Sequence, residues 1–424
     1  MGRGAGYPSR MFQRPPKERE SRSWLYVGLW MLFIFTFIPL ARAVQSFVDE
    51  RWGREAFTWI VLAAIVAALA AALIYLWRGR AAFRAGNLAW LVGTATLFVV
   101  WTWHLRTNPE EALHFIQYGV LSLLVYRALL HRLRDVSIYF AAALVAGVVG
   151  TLDEIIQWLT PGRFFDFRDI WLNLGSAVLV QIGVSRGIRP SQITGRPSVA
   201  GVRLVARVAT VQLVLLGLCV SNTIPRVEWY ASRIPGLDYL RTNESIMIEY
   251  GYRYEDPDIG VFFSRFPPQE LAREDRERAE EVAEILNRYR DPRRYGDFLA
   301  TYTPAIDPFA HEARVHLFRR DRYRGEAREY EEGSDEHALN FTIAYREHLI
   351  MEKYFPHTLH ASRYAFTDDY RLYMRSQQIP EYRYVSAVSA QLVTRWREPH
   401  FWLAVLLAVI ALEVGWRYYA RRTR

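Results

Sequence analysis

The chain has one cysteine, Cys219, in 424 residues. A disulfide framework and a Cys-based zinc site are therefore excluded. It has no H-E-x-x-H stretch, so no single segment offers a zinc signature. No basic, aromatic-interleaved nucleic-acid module is present, and nucleic acid is not an expected partner. Internal repeats are absent, and the charged stretch Arg273–Glu284, read as a solvated helix face, is the one low-complexity piece. Hydrophobic residues make up 51% of the chain, yet mean hydropathy is only −0.05. Apolar and charged residues must therefore be segregated along the sequence. The net charge of +9 comes mostly from arginines, which cluster beside the apolar runs. That is the pattern of a membrane protein with a positive-inside bias.

A membrane helix needs about 20 largely apolar residues. Eight segments are expected to span: Trp24–Ala41, Phe57–Trp77, Leu88–Leu105, Leu113–Leu130, Val136–Leu159, Ile170–Ser185, Leu204–Asn222 and His400–Trp416. Arginines or lysines fill the N-terminus (Arg10, Arg14, Lys17, Arg19, Arg22) and the loops after the second (Arg78, Arg80, Arg84), fourth (Arg132, Arg134) and sixth (Arg186, Arg189, Arg196, Arg203) spans. They also fill the C-terminus (Arg417, Arg421, Arg422, Arg424). If the spans alternate, all five segments share one side. Both termini are then expected in the cytoplasm and residues 225–399 outside it, in a cell (inner) membrane. The first span also fits a cleavable signal peptide, with Ala41-Arg42-Ala43 as the cleavage site.

The domain plan is a basic tail (1–23), two membrane helices (24–87), a bundle (88–185), a loop and seventh span (186–224), a soluble domain (225–399) and a last span with a basic tail (400–424). The expected fold is an all-α polytopic membrane bundle with an inserted extracytoplasmic α+β domain. Within 225–399, Glu270–Arg290 reads as an amphipathic helix, with Val282, Ile285, Leu286 and Tyr289 on one face. Ser245–Tyr250 and Ala313–Phe318 read as strands by alternation. Six of the ten histidines lie there and are read mostly as surface or packing residues. Tyr364–Tyr384 is either packed core or a binding face.

The most informative stretch is Thr151–Asn173, TLDEIIQWLTPGRFFDFRDIWLN. Polar residues from three expected spans converge at one membrane boundary. His114, Gln117 and Tyr118 occupy the first turns of the fourth span and, at spacings of three and four, share a face. Asp153, Glu154 and Gln157 end the fifth span. Asp166 and Asp169 begin the sixth, where carboxylates suit the helix dipole, and Asn173 lies a turn deeper. Small residues Ala143, Gly147 and Gly150 suit close helix approach.

Leu113-His114-Phe115 with Tyr118, Asp153-Glu154-Ile155-Ile156-Gln157, Pro161-Gly162-Arg163, Asp169 and Asn173 together resemble the VanZ-like family, over about Leu88 to Val184. That family is named for a protein linked to teicoplanin (glycopeptide) resistance, so the resemblance implies a role at the cell envelope. Where members place glycine three residues after the Asn, this chain has Ser176, with Gly175 one earlier.

Glu154 and His114 are the catalytic candidates. Glu154 reads either as a general acid/base or cation ligand or as an interhelical hydrogen-bond partner, with His114 as the candidate. Gln157, Arg163, Asp169, Asn173 and Tyr118 are the ligand-binding candidates. Arg163 suits a phosphate or carboxylate, or pairs with Asp166 or Asp169. Asp166 reads as a cap, and Asp153 as a helix-end residue facing water. His114, Glu154 and Asp169 offer mixed N/O donors, but no metal site is assigned and no cofactor is named. The leading expectation is a protein whose polar cluster binds a lipid-linked or peptidoglycan-related envelope component, with membrane lipids as further partners. The alternatives are an enzyme acting on a lipid or glycolipid headgroup through Glu154 or His114, and a structural scaffold.

Overall fold

The computed structural model describes residues 19–78, 85–241 and 246–423. Arg10, Arg14, Lys17, Arg80, Arg84, Ser245 and Arg424 lie outside the described residues. The chain forms two compact units, one of residues Met1–Cys219 with Trp402–Arg424 and the other Val220–Phe401.

The first unit is helical: α1 (Glu20–Trp52), α2 (Glu55–Arg78), α3 (Ala85–His104), a short 3₁₀ turn (Pro109–Ala112) leading into α4 (Leu113–Leu129), α5 (Ser137–Trp158), α6 (Phe167–Ile182) and α7 (Val199–Cys219). All of these except α6, together with a last helix at Glu398–Arg422, are long and apolar enough to cross a membrane. That makes seven such helices among the described residues. The sixth expected span, Ile170–Ser185, corresponds to α6, which has 16 residues and is continued by one π-helical turn, Gly183–Ile188. It falls outside that set by its length, and the face it turns to its neighbours is polar. α6 packs between α4 and α5, and its buried Asn173, Ser176 and Gln181 face protein, where polar groups can be satisfied. Gln181 Nε2 donates to Ser122 Oγ at 2.7 Å and to the Ser122 carbonyl at 3.1 Å.

The core of this bundle gathers buried residues of α1, α4, α5 and α6. The buried face of α5 includes Ala143, Ala146, Gly147 and Gly150, and the small residues let α6 come close. A Cβ on Gly150 would lie 2.7 Å from Asn173 Cβ, and one on Gly147 would lie 3.0 Å from Leu174 Cδ1. The tripeptide Ala41-Arg42-Ala43 lies inside α1, which continues unbroken to Trp52 and buries Val27, Ile34, Ile38 and Val48.

The second unit contains α8 (Ile224–Ala231), strands β1 (Tyr252–Asp256) and β2 (Gly260–Ser264), α9 (Pro268–Glu277), α10 (Ala279–Arg288), α11 (Tyr295–Thr301), α12 (Pro308–Ala327), α13 (Asp335–Tyr354), α14 (Pro356–Ala361) and α15 (Asp368–Ser376); the last helix is α16. The strands form one antiparallel hairpin with Tyr254 opposite Phe262, and both residues pack into a core shared with α9, α10 and α12 to α15.

Three expectations for this unit need correction. Ala313–Phe318 is not a strand but part of α12. Asp307 caps that helix by accepting from the Ala310 amide at 3.0 Å, and Pro308 holds its first turn. The buried Phe309, Ala313, His316, Leu317 and Arg320 follow helical spacing. Glu270–Arg290 is two helices, broken at Arg278 (φ −114°, ψ 9°), although Val282, Ile285, Leu286 and Tyr289 are all buried as read. The described part of Ser245–Tyr250 makes a single bridge, Tyr250 to Val393. Asp275, in the run read as solvated, is buried. It accepts from the His357 and Thr358 amides at the start of α14, at 3.0 and 2.9 Å. Tyr364, Met374 and Tyr384 belong to the core. Among the histidines, His316, His337 and His348 are buried, while His357 and His360 are exposed. Burial, helped by the charges of Arg320 and Arg371, pushes the His348 imidazole down to about 3.

Candidate functional site

Three helix ends and one loop build a polar wall. The loop 159–166 turns at Gly162, whose φ of 75° is a conformation that favours glycine. Asp166 then caps α6, its side chain accepting from the Arg168 amide at 2.7 Å. This cap fixes where α6 begins, and so where Asp169 and Asn173 sit.

Glu154 organises the corner. It is fully buried. Its Oε1 accepts from Gln157 Nε2 at 2.6 Å, and its Oε2 accepts from the Asp166 amide at 3.0 Å. Both oxygens are thus engaged within the loop and α5, and His114 is not their partner. Gln157 in turn accepts from Arg163 Nη2 at 2.5 Å. The chain Glu154–Gln157–Arg163 therefore holds a guanidinium at the loop, and Arg163 pairs with neither Asp166 nor Asp169. Asp153 does not face bulk water: it is 3% exposed and accepts from the Tyr118 hydroxyl at 2.9 Å. His114 stacks on Tyr118, with ring centroids 6.1 Å apart, and its Nε2 lies 3.9 Å from Asp169 Oδ2. Asn173 sits behind this layer against Gly150. In place of the family glycine, Ser176 donates to the Phe115 carbonyl at 3.1 Å, while Gly175 admits the Trp101 ring.

This wall borders a cleft of about 330 Å³. His114, Gln117, Asp153, Gln157, Arg163 and Asp169 line it, whereas Glu154, Tyr118 and Asn173 lie behind the surface. The opposite wall is apolar and comes from α1, through Ile34, Phe37, Ile38, Ala41 and Val44. The sequence reading did not find this wall, nor Glu110 and Glu111 at the rim. Glu110 accepts from Arg54 at 2.6 Å and from Gln45 at 2.8 Å, and Glu111 pairs with Arg168. The rim acids are therefore largely neutralised by their own arginines.

Several buried polar atoms of the cleft have no hydrogen-bond partner: Asp153 Oδ1, His114 Nδ1 and Arg163 Nε. Unpaired buried groups of this kind cost about 1–3 kcal/mol each. Together they offer one cationic donor, an anionic acceptor and an imidazole to a bound molecule. Among the described residues, no group of three or more His, Cys, Asp or Glu side chains is arranged to hold a metal ion.

No curated protein and no solved structure matches the chain. A family model described as VanZ/LLP1 matches residues 23–184. The match reaches well ahead of Leu88 and takes in α1 and α2, so the apolar wall of the cleft belongs to it as much as the polar wall does. Residues 23–184 of this membrane protein are a VanZ-like domain.

Proposed function

We propose that the cleft binds the headgroup of an envelope lipid, and that the protein thereby alters sensitivity to glycopeptide antibiotics. The observation that carries this reading is the pairing of an apolar α1 wall with a polar wall whose buried donor and acceptors are unmet. A headgroup with a phosphate and with hydroxyl or ammonium donors matches that set: Arg163 takes the phosphate, since its fork suits one, and Asp153, Asp169 and His114 take the donors. Glu154 acts through Gln157 as a positioning residue for Arg163. Titration of a lipid phosphate into the protein in nanodiscs tests this. Arg163→Ala removes one charge-assisted hydrogen bond, about 1.5–3 kcal/mol, so affinity should fall about 10- to 100-fold. Unchanged affinity in Arg163→Ala would refute the assignment.

The arginine distribution supports an orientation with both termini in the cytoplasm and the cleft and residues 225–399 on the outer side. Reporters fused after Asn108, after Pro161 and within 225–399 should all read as extracytoplasmic. A cytoplasmic signal from the last would overturn this orientation.

A second reading is favoured by His114 alone. It lines the cleft with Nδ1 unbonded, as a general acid/base at a lipid headgroup would. Turnover of the bound lipid, abolished by His114→Ala, distinguishes an enzyme from a binder.

A further inference from the structure

The helices that build the cleft also build a groove at their opposite ends. The cleft takes Asp153 and Gln157 from the end of α5 and Asp169 from the start of α6. A groove of about 880 Å³ takes Tyr139, Phe140 and Ala143 from the start of α5, and Ile182 and Ser185 from the end of α6 and the turn after it. By the arginine distribution this is the cytoplasmic end.

Two arginines stand at this groove, Arg186 and Arg189, and among the described residues no Asp or Glu lines it. Both are exposed, and neither has a carboxylate partner among the described residues. Elsewhere at this end, Arg132 pairs with Glu20 and Arg417 with Glu413. The backbone fixes where the two free cations sit. Arg186 lies in the π-helical turn Gly183–Ile188, and Gly187 presses that turn onto α3: a Cβ there would lie 2.5 Å from Leu91 Cδ2. Arg189 ends the turn at φ 50°, ψ 66°, a left-handed conformation that arginine seldom adopts. Strain of this kind gathers at functional positions. Away from the arginines the walls are largely apolar, and Trp90, Phe140 and Val178 among them are exposed on the flank of the bundle. Gln181 is the buried polar side chain in these walls, and its Oε1 has no hydrogen-bond partner.

We propose that this groove binds an anionic phospholipid of the cytoplasmic leaflet, with its phosphate on Arg186 and Arg189 and its acyl chain against the flank made by Trp90, Phe140 and Val178. Charge complementarity names the headgroup. Guanidinium forks suit a phosphate, two unpaired cations favour a net anionic headgroup over a zwitterionic one, and basic pockets between membrane helices on the cytoplasmic side hold such lipids. The exposed apolar flank names a lipid rather than free phosphate. The site is separate from the cleft and does not depend on what the cleft binds.

The test uses the full chain carrying Arg163→Ala, so that the cleft does not contribute, in nanodiscs of phosphatidylglycerol mixed with phosphatidylcholine. Phosphatidylglycerol brings the anionic phosphate and hydroxyl donors for Gln181. Native mass spectrometry reads which lipid stays with the protein. Phosphatidylglycerol should be retained in preference to phosphatidylcholine by about tenfold or more, the size of one hydrogen bond between charged groups. Adding Arg186→Gln and Arg189→Asn should abolish the preference; asparagine tolerates the left-handed backbone, so the turn is kept. Adding Arg421→Gln and Arg422→Gln instead removes the same charge from exposed positions of α16 outside the groove, at the end where Tyr419 donates to the Pro197 carbonyl, and should leave the preference intact. Ser191→Glu, at an exposed position lining the groove, should weaken it with both arginines in place. Equal loss in the two double variants overturns the site, because diffuse surface charge would then explain the preference. Equal retention of the two lipids before any arginine of the groove is changed overturns it, and so does a preference that survives both Arg186→Gln/Arg189→Asn and Ser191→Glu. A preference erased by inorganic phosphate at constant ionic strength overturns the lipid as the ligand in favour of free phosphate.

Discussion

Glu347→Ala is expected to destabilise the 220–401 unit by about 3–5 kcal/mol, the cost of removing one partner from a buried ionic cluster. Glu347 is fully buried in α13. One oxygen accepts from the Tyr384 hydroxyl and from Ser386 Oγ at 2.7 Å, and Arg319 Nε forms an ion pair with it at 3.1 Å. The other lies 2.6 Å from His316 Nδ1. This one carboxylate joins α12, α13 and the 384–386 segment, and alanine leaves the Tyr384, Ser386 and His316 groups without it. Burial works against the charged form, but His316, Tyr384 and Ser386 hold the Glu347 carboxyl below its ordinary range. Because the folded value is depressed, its contribution is present above about pH 4.5 and is lost as pH falls through the folded value. Thermal unfolding of the full chain should show a drop of about 10 °C for the transition of this unit. Ser386→Ala, which removes one donor, should cost about 1 kcal/mol. A Glu347→Ala loss no larger than that of Ser386→Ala would contradict the cluster's role.

Glu154→Gln is expected to keep the protein folded and abundant, yet to weaken binding of the lipid headgroup about tenfold or more. A glutamine fits the space and still accepts from the Asp166 amide. Its other group is now a donor, and Gln157 Nε2 is already a donor at that contact. Gln157 must turn its amide to accept from it, and then presents NH₂ to Arg163 where it presented oxygen. Arg163 loses its anchor, worth about 1.5–3 kcal/mol for a hydrogen bond to a charged group. Glu154→Ala additionally strands the Asp166 amide, so it should also reduce abundance. Full affinity in Glu154→Gln with low abundance in Glu154→Ala would leave Glu154 a structural residue only.

Much of the site was legible because the membrane makes polar residues conspicuous. Isolated among apolar runs, His114, Asp153, Glu154, Gln157 and Asp169 stand out, and helical spacing sorts them onto faces. Hydrogen-bond direction was not legible. Whether Glu154 meets His114 or the Asp166 amide depends on a loop whose turn at Gly162 no spacing rule fixes. Nor was the α1 wall, since a membrane helix is apolar all round and no periodicity marks the face that meets the cleft. α6 reads as the span Ile170–Ser185, but how short it is and that its polar residues face α4 and α5 were not legible. In the 220–401 unit, six alternating residues from Ala313 to Phe318 looked like a strand. The Asp307-Pro308 start signal and the wider helical spacing decide for a helix.

The central claim is that the cleft between α1 and the ends of α4, α5 and α6 holds a phosphate-bearing lipid headgroup. The most direct test is an experimental structure of the full chain in nanodiscs with undecaprenyl phosphate. Phosphate is expected within hydrogen-bond distance of Arg163 Nε, beside His114 and Asp153. Lipid phosphate bound elsewhere, with Arg163 still facing an unoccupied cleft at saturating lipid, would contradict it.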